Sequence, residues 1–246
     1  MSEAVLRSFR DGICTLRLNR PEARNALNRA LRTQLRTALT EVSIDPEVAV
    51  LVLTGDDRAF CAGGDVKEMG GGAADSAAKL AKAKQIVQLI AEMPKPVVAA
   101  VRGHAAGAGF SLALACDFIV ADPTAVFTSV FIRRALIPDM GATYWLARQV
   151  GIHRAKDIAM SGRPIMAQEA FDLGIVARLW SAEDFEVELG AFARQLAGGP
   201  TAALGLTKQL INRAFESDLS AALDAEALAQ GLASSSPEHL DGLAGD

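Results

Sequence analysis

The sequence is poor in the residues that build disulfides, metal sites and nucleic-acid contacts. Its 246 residues include three cysteines and three histidines. Cys14, Cys61 and Cys116 form no CxxC pair, so they predict reduced thiols in a cytoplasmic protein, with neither a disulfide framework nor a metal site. The net charge of −4 supplies no general basic field, which argues against a nucleic-acid partner.

Long apolar segments are missing too. The first residues, MSEAVLRSFRDG, hold no apolar stretch before a cleavage site, so we expect no secretory signal. No run of about 18 uncharged apolar residues occurs, so we expect neither a spanning helix nor a membrane partner.

Bulky side chains are few and small ones abundant. Ten Phe, two Trp and one Tyr stand against 21 Gly and 46 Ala. Apolar residues nevertheless make up half of the chain, which excludes a disordered protein. Because small residues let backbone segments approach each other, the composition predicts tightly stacked layers and sites built from backbone groups. The length suits one domain, or one domain with an appendage.

The apolar pattern alternates between strands and helices. It predicts a hairpin that turns at Asp11-Gly12 and an amphipathic helix after Asn25. Apolar runs of strand length are 48–53, 97–101, 118–121, 126–128 and 175–179. Helical patterns cover 76–93, 107–116, 141–150, 153–161 and 167–173, and continue from Glu183 with a break at 198–200. A mixed α/β core with a helical C-terminal cap follows.

The glycine-rich stretch Gly70–Ala74 lies just before the helical pattern 76–93. It predicts either a mobile lid over an active site or an ordinary surface connection. Neither GxGxxG nor GxxxxGK[ST] occurs there, so we do not expect a phosphate loop of those types.

Two glycine-containing loops each follow a buried strand. Phe60–Asp65 follows the strand at 48–53, and His104–Phe110 follows the strand at 97–101 and opens a helix. Glycines after a strand and the first turn of a helix both expose unpaired N–H groups. The loops predict either tight turns against a sheet or two N–H donors that converge on one carbonyl oxygen, an oxyanion hole.

Five segments resemble the crotonase superfamily, the enoyl-CoA hydratase/isomerase family of acyl-CoA enzymes. They are NRPEARNALN (19–28), FCAGGD (60–65), KPVVAAVRGHAAGAG (95–109), CDFIVAD (116–122) and IPDMGAT (137–143), in family order. The resemblance runs from about residue 3 to residue 235. It implies a spiral of strand–strand–helix turns over residues 1–198 and a C-terminal helical segment, residues 199–246, that packs homotrimers or hexamers.

The same resemblance implies an acyl-CoA substrate, with no cofactor besides the CoA of that substrate. The thioester carbonyl would lie between the backbone N–H groups of Gly64 and Ala108, which stabilise an enolate by about 2.7–4 kcal/mol per donor. The CoA would run along 24–27 and 62–67. The substrate-binding residues implied there are Arg24, Ala26, Ala62, Asp65 and Lys67. Arg24 and Lys67 could equally be solvated surface charges, and Asp65 could brace its own loop.

The number and position of the catalytic carboxylates distinguish the reactions of this family. Its hydratases use two glutamates, because one carboxylate activates water and the other supplies the α-proton. The matching positions here are Ser111 and Phe131, which can contact substrate but cannot do that work. Asp139 remains, at a place where some family isomerases carry their acid/base. Burial among Phe131 and other apolar neighbours is expected to raise its pKa. The alternative for Asp139 is a helix N-cap.

The sequence therefore predicts an enoyl-CoA isomerase, with Asp139 as acid/base and Gly64 and Ala108 as oxyanion donors. Three other reactions remain open on the same scaffold: enoyl-CoA hydration, decarboxylation and thioester hydrolysis. A non-catalytic protein that binds a CoA ligand is the rival from another class. Tyr144 and Trp145 line an acyl pocket or belong to the core.

Overall fold

The computed structural model describes residues 3–70 and 72–245; the side chains of Ser76 and of residues 242–245 are outside the description. Ten strands occur there: β1 (Val5–Arg10), β2 (Ile13–Leu18), β3 (Val50–Thr54), β4 (Ala59–Cys61), β5 (Val97–Val101), β6 (His104–Ala106), β7 (Phe118–Ala121), β8 (Val126–Thr128), β9 (Pro164–Met166) and β10 (Arg178–Leu179). They form a six-stranded sheet in the order β1-β2-β3-β5-β7-β10 and a four-stranded sheet in the order β4-β6-β8-β9.

The described residues form ten α-helices, and the continuous helical pattern expected after residue 200 is divided into three of them. They are α1 (Arg29–Ile44), α2 (Gly72–Glu92), α3 (Ala108–Leu114), α4 (Ala142–Val150), α5 (Ile152–Ser161), α6 (Ala167–Asp172), α7 (Phe185–Ala197), α8 (Thr201–Arg213), α9 (Leu219–Ser234) and α10 (Pro237–Gly245). None of them combines the length and the apolar character needed to cross a bilayer.

Successive strand–strand–helix units build a spiral. In β3-β4-α2 and β5-β6-α3, the first strand joins the large sheet and the second joins the small one. Neighbouring units pair in parallel in both sheets, β3 with β5 and β4 with β6. The α/β spiral expected from the resemblance is confirmed.

The sequence pattern did not predict three of the small sheet's strands, β4, β6 and β9. Each has three residues, too few to show a hydrophobic period. The expected strand at 175–179 is also shorter, because only β10 pairs with β7. The small sheet matters for the site, because the first residues of both predicted loops, Phe60–Asp65 and His104–Phe110, are strand residues of β4 and β6, which pair side by side.

The start of α2 corrects the prediction of a glycine-rich loop. Gly72, Ala73 and Ala74 lie in the first turn of α2, four residues before the expected start at 76. Gly71 lies outside the described residues, and Gly70 precedes the helix. The prediction of a loop or mobile lid is therefore wrong for residues 72–74, which are helical.

Both faces of the large sheet are buried at its central strands β3, β5 and β7, which explains why these strands are continuously apolar. On one side, Leu51, Leu53 and Val97 pack in the main core with the α1 leucines Leu31 and Leu35. On the other side, Val50, Val52, Val98, Ala100 and Val120 pack against Phe185 and Phe192 of α7. A parallel sheet covered on both faces needs apolar residues at consecutive positions.

A buried lysine joins α8 to the core. Lys208 Nζ lies 2.8 Å from Asp117 Oδ2 and donates to the carbonyls of Ile90 (2.7 Å) and Lys95 (3.2 Å). Asp117 Oδ2 also accepts from the Val97 N–H at 2.7 Å. The expected boundary at residue 198 stays a prediction, although α8 is tightly bound to the unit that precedes it.

We predict that Lys208→Met lowers the free energy of unfolding by about 3–5 kcal/mol, because it leaves the Asp117 carboxylate buried without its cation. Urea denaturation measures the loss. Lys156→Met, on the exposed side of α5, is the control and is expected to change stability by less than about 0.5 kcal/mol. Adding Asp117→Asn to Lys208→Met should restore part of the loss; equal stability of the Lys208 and Lys156 variants would contradict the prediction.

Candidate active site

The loop after β4 turns one amide away from the rest of the protein. Gly63 O accepts from the Leu27 N–H at 2.7 Å, and the Asp65 N–H donates to Leu27 O at 3.3 Å. The N–H of Gly64 belongs to the same trans peptide as Gly63 O and therefore points to the opposite side, away from Leu27. Within the described residues, Gly64 N–H has no hydrogen-bond acceptor.

The loop after β6 leaves a second amide N–H without an acceptor. Gly107 O accepts from the Ser111 N–H at 3.0 Å and from Ser111 Oγ at 3.2 Å, so it points into α3. The Ala108 N–H of that peptide points out of the helix start, and no described acceptor meets it. Gly107 has φ +52° and ψ −125°, a conformation open to glycine and closed to other residues.

The two loops lie in direct backbone contact. A Cβ on Gly63 would lie 2.6 Å from Ala106 O and 3.3 Å from the Ala108 nitrogen. A Cβ on Gly109 would lie 2.1 Å from Cys61 O. Because these glycines carry no side chain, the amides of Gly64 and Ala108 can face one space, as a pair of oxyanion donors requires.

That space is a cavity of about 310 Å³ lined by Gly64, Ala108 and Asp139. Asp65 and Glu68 line it as well, but both are paired with arginine. Asp65 Oδ2 lies 3.0 Å from Arg20 Nη1, and Glu68 Oε2 lies 2.8 Å from Arg32 Nη2. Of the three carboxylates on this wall, Asp139 alone is without a cation within the described chain.

The Asp139 side chain is set apart by its surroundings. Its Oδ1 is buried and has no described hydrogen-bond partner. Burial raises the pKa of Asp139 to about 6, and its own backbone N–H only partly opposes that rise. The helix-cap alternative is wrong, because Gly141 occupies the cap position of α4 and no side chain bonds the first turn.

A larger groove of about 990 Å³ adjoins the cavity at Asp139. Asp139, Met140 and Leu80 line both spaces. Tyr144 and Trp145 line the groove, with ring centroids 4.7 Å apart and edge to face. These two aromatics thus lie where a group bound near Asp139 would extend.

The implied CoA-binding segments lie side by side, since the Ala62 N–H donates to Arg24 O at 2.9 Å. Arg24 and Lys67 are exposed, and within the described chain neither side chain forms a hydrogen bond or a close ion pair, although Lys67 acts on Asp65 at longer range. Ala26 is buried, and its carbonyl accepts from Arg20. None of these four residues lines the 310 Å³ cavity, so their contact with substrate stays a prediction.

Asp65 does brace its loop, and its ionisation fits that role. Oδ1 accepts from the Lys67 N–H at 3.1 Å, while Oδ2 faces Arg20. Partial burial raises its pKa, but the Lys67 N–H and the Arg20 guanidinium outweigh burial, so the pKa of Asp65 lies below its ordinary value. Asp65 is therefore a charged anchor of the cavity wall, with both oxygens already engaged.

The two hydratase glutamate positions hold residues without acid/base capacity. Ser111 is fully buried and bonds to Gly107 O within its own helix, outside the cavity lining. Phe131 lies against Gly107 and lines an adjoining apolar cavity of about 350 Å³. Leu136 and Ile137 line both cavities and separate the two.

Sequence reasoning missed the arginines that neutralise the cavity wall. Arg20 and Arg32 act on carboxylates 45 and 36 residues further along the chain, a pairing that helical or strand periodicity does not encode. Other candidates are ruled out by burial: the pKa of Cys61 is raised to about 12, so its thiol is not a ready nucleophile. No group of three His, Cys, Asp or Glu side chains suited to a metal ion occurs in the described ranges.

Comparison with known proteins gives consistent results. The family model described as enoyl-CoA hydratase/isomerase matches residues 8–243. The chain is 37% identical to 1,2-epoxyphenylacetyl-CoA isomerase of Escherichia coli, over 99% of this chain and 95% of that protein. It is 39% identical to a probable enoyl-CoA hydratase of Rhodobacter capsulatus, over 95% and 90%. A crystal structure of enoyl-CoA hydratase from Bacillus anthracis superposes with a TM-score of 0.94, at 31% identity, over 98% and 95% of the two chains.

We predict that Asp139→Asn stabilises the protein at neutral pH. The pKa of about 6 exceeds the ordinary 3.8, so between these values the folded chain holds a proton that the unfolded chain releases. The free energy of unfolding therefore falls as pH rises through this window, by about 2–3 kcal/mol in all. The asparagine variant escapes that loss. In urea denaturation it should exceed the wild type by about this amount at pH 7.5 and match it near pH 3.5.

The control is Asp172→Asn, which changes an exposed aspartate at the end of α6. Its stability should follow the wild type at both pH values. A difference between Asp139→Asn and wild type that does not vary with pH would contradict the raised pKa.

Proposed function

The chain belongs to the enoyl-CoA hydratase/isomerase family, and we propose that its own reaction is the shift of a double bond in an enoyl-CoA by proton transfer. One observation carries this choice. Asp139 is the carboxylate of the 310 Å³ cavity left without a cation, and it shares that cavity with the amides of Gly64 and Ala108. A proton shift needs one carboxylate, whereas hydration needs two acid/base functions.

The proposed steps use these groups in turn. The thioester oxygen of a 3-enoyl-CoA accepts hydrogen bonds from the N–H groups of Gly64 and Ala108. The Asp139 carboxylate removes a proton from C2, and the electron pair moves onto the thioester oxygen to give a dienolate. Asp139, now a carboxylic acid, returns the proton to C4 while the electrons reform the C=O bond and leave a double bond between C2 and C3.

Electrostatics supports both halves of this cycle. Burial raises the pKa of Asp139 to about 6, so the side chain is ionised near neutral pH yet is a better proton acceptor than an exposed aspartate. The two amides are fixed by hydrogen bonds on the far side of their peptides, so they need no reorganisation when charge develops on the oxygen. Leu136, Ile137 and Met140 give the cavity an apolar lining beside Asp139.

Hydration is the nearest alternative, because a relative of similar identity carries the name of a hydratase. The occupants of the two expected glutamate positions argue against it here. Ser111 is committed to its own helix and Phe131 contributes an apolar ring. The acyl-CoA is the substrate, and the proton shift uses no further cofactor. A cytoplasmic location stays a prediction.

The test follows double-bond position and mass when the protein is incubated in D₂O with 2-enoyl-, 3-enoyl- and 3-hydroxyacyl-CoA. We expect migration of the double bond without the mass gain of water addition, and a fall in kcat of about 10²–10⁴ in Asp139→Asn. Asp172→Asn, the exposed control, should retain wild-type turnover. The wild-type rate should rise with pH up to a plateau above about pH 6, as Asp139 ionises.

The other outcomes separate the alternatives. Hydration at equal rates in wild type and Asp139→Asn would refute the isomerase. Release of free CoA or loss of CO₂ would identify a hydrolase or a decarboxylase. Tight binding of CoA thioesters with no turnover would favour the ligand-binding protein.

We further propose that the C-terminal helices assemble the chain into a homotrimer or a dimer of trimers. Helix α9 has no buried residue, and its leucines are open to solvent in the single chain. Leu219 is 75% exposed, Leu228 73% and Leu232 64%. An apolar helix left uncovered in this way is typical of a subunit contact.

Leu228→Glu with Leu232→Glu should therefore reduce the assembly to a monomer of 25.8 kDa, measured by light scattering after size-exclusion chromatography. These residues lie four apart on one face of α9. Ile44→Glu with Val187→Glu is the control, since both side chains are similarly exposed on other helices. A monomeric wild type, or an unchanged oligomer in the α9 variant, would refute the proposal.

A further inference from the structure

One wall of the groove of about 990 Å³ is an aromatic side chain that a distant part of the chain holds in place. Tyr144 is the only tyrosine of the sequence, and its ring lines the groove beside Trp145. Its hydroxyl reaches away from α4 and donates to Glu216 Oε1 at 2.7 Å. Glu216 lies in the segment between α8 and α9. The ring is therefore anchored at its hydroxyl end by a residue outside its own helix.

Arg148 completes this anchor from within α4. It lies one helical turn after Tyr144, and its guanidinium carbon is 3.3 Å from the centroid of the Tyr144 ring. Nη1 donates to the Tyr144 carbonyl at 3.2 Å, and Nη2 lies 3.5 Å from Glu216 Oε1. Arg148 thus covers one face of the ring while Glu216 binds its hydroxyl, so the two contacts together restrict the rotation of the ring.

Stability alone is a poor explanation of this cluster. The Glu216 side chain is 54% exposed, and ion pairs that are open to solvent contribute little to stability. Arg148 Nε is buried and has no described hydrogen-bond partner, which costs free energy. A buried N–H left unsatisfied beside an exposed ion pair calls for a reason other than stability, and the position of the ring provides one.

The anchored ring lies next to the candidate acid. Trp145 contacts Tyr144 edge to face, with ring centroids 4.7 Å apart. Trp145 also lies so close to Gly141 that a Cβ there would be 3.0 Å from the indole nitrogen. Gly141 follows Asp139 by two residues, and both line the groove together with the two rings. The contacts therefore run from Glu216 through the two rings to the segment that carries Asp139.

We propose that Arg148 and Glu216 are positioning residues, which hold Tyr144 as the wall that the acyl group of the substrate packs against beyond Asp139. The inference rests on the proposed function in one respect, the binding of an acyl-CoA with its acyl group in the groove. Neither Arg148 nor Glu216 lines the groove, so both act through the ring. An acyl group too short to reach the ring should not depend on them, whereas a longer one should.

Steady-state kinetics with 3-butenoyl-CoA and 3-decenoyl-CoA tests the proposal. The first acyl group ends at C4, the carbon that receives the proton, and the second extends six carbons further. We expect Glu216→Ala and Arg148→Ala to raise KM for the decenoyl thioester about fivefold or more, with kcat and the butenoyl KM unchanged, because only the longer group contacts the ring. Glu216→Gln keeps an oxygen that accepts from the Tyr144 hydroxyl and should restore most of the wild-type KM.

Glu169→Ala is the matched control, because it removes a partly exposed carboxylate that lies 2.7 Å from another arginine, Arg163. Neither of these two residues lines the groove, so both KM values should stay as in wild type. Urea denaturation should show all four variants folded under the assay conditions. Equal changes of KM for the two thioesters, no change for either, or a lower KM for the longer one would overturn the proposal.

Binding without turnover separates this proposal from the isomerase reaction. Calorimetric titration with butyryl-CoA and decanoyl-CoA, which have no double bond to move, should show that the wild type binds the longer thioester more tightly. Glu216→Ala should reduce this preference about as much as it raises KM. Loss of the preference in this variant, with no turnover of any 3-enoyl-CoA by the wild type, would refute the isomerase and support the positioning role. An unchanged preference would overturn the positioning role, whether or not the wild type is active.

Discussion

The site depends on one close backbone contact, that of the start of α3 with the end of β4. A Cβ at Gly109 would lie 2.1 Å from Cys61 O, a distance that forces the two segments apart. Because the segments do meet, Gly64 and Ala108 line one cavity. The carbonyls on the other side of their peptides, Gly63 O and Gly107 O, accept hydrogen bonds from the N–H groups of Leu27 and of Ser111 in α3. Small residues are what allow this contact, since any side chain at Gly63 or Gly109 would meet backbone atoms of the other segment.

A second constraint is the charge pairing and ionisation of the carboxylates around that cavity. Asp65 and Glu68 are paired with arginines, whereas Asp139 is half-buried, its Oδ1 has no described partner, and its pKa rises to about 6. The neighbouring backbone is strained as well, because Met140 has φ +50° although it is not a glycine. Unfavourable features gathered at one cavity, in a fold stabilised by a sheet buried on both faces, are typical of a functional site.

The sequence predicts the long helices and strands and the motif residues. It does not predict elements that exist only because they pair with segments far away in the chain. Strands β3, β5 and β7 are apolar at consecutive positions, so their burial shows in the sequence alone. Strands β4 and β6 exist because each pairs with the other, and three residues carry no period. In the same way, motif position indicates Asp139, but the environment that perturbs it depends on residues brought in from α2 and from the 136–140 segment.

The fold depends on many residues and the reaction on few. This difference explains why relatives of nearly equal identity carry the names of an isomerase and a hydratase. Percentage identity counts every aligned position alike, and most positions of this chain lie in its helices and strands, far fewer around the cavity. The choice of reaction rests on a few side chains around the cavity: a free carboxylate at 139, a serine bonded within its own helix at 111 and a phenyl ring at 131. Those positions contribute almost nothing to a percentage of identity. The reaction therefore has to be argued from the contacts of those three residues, while the fold follows from the family.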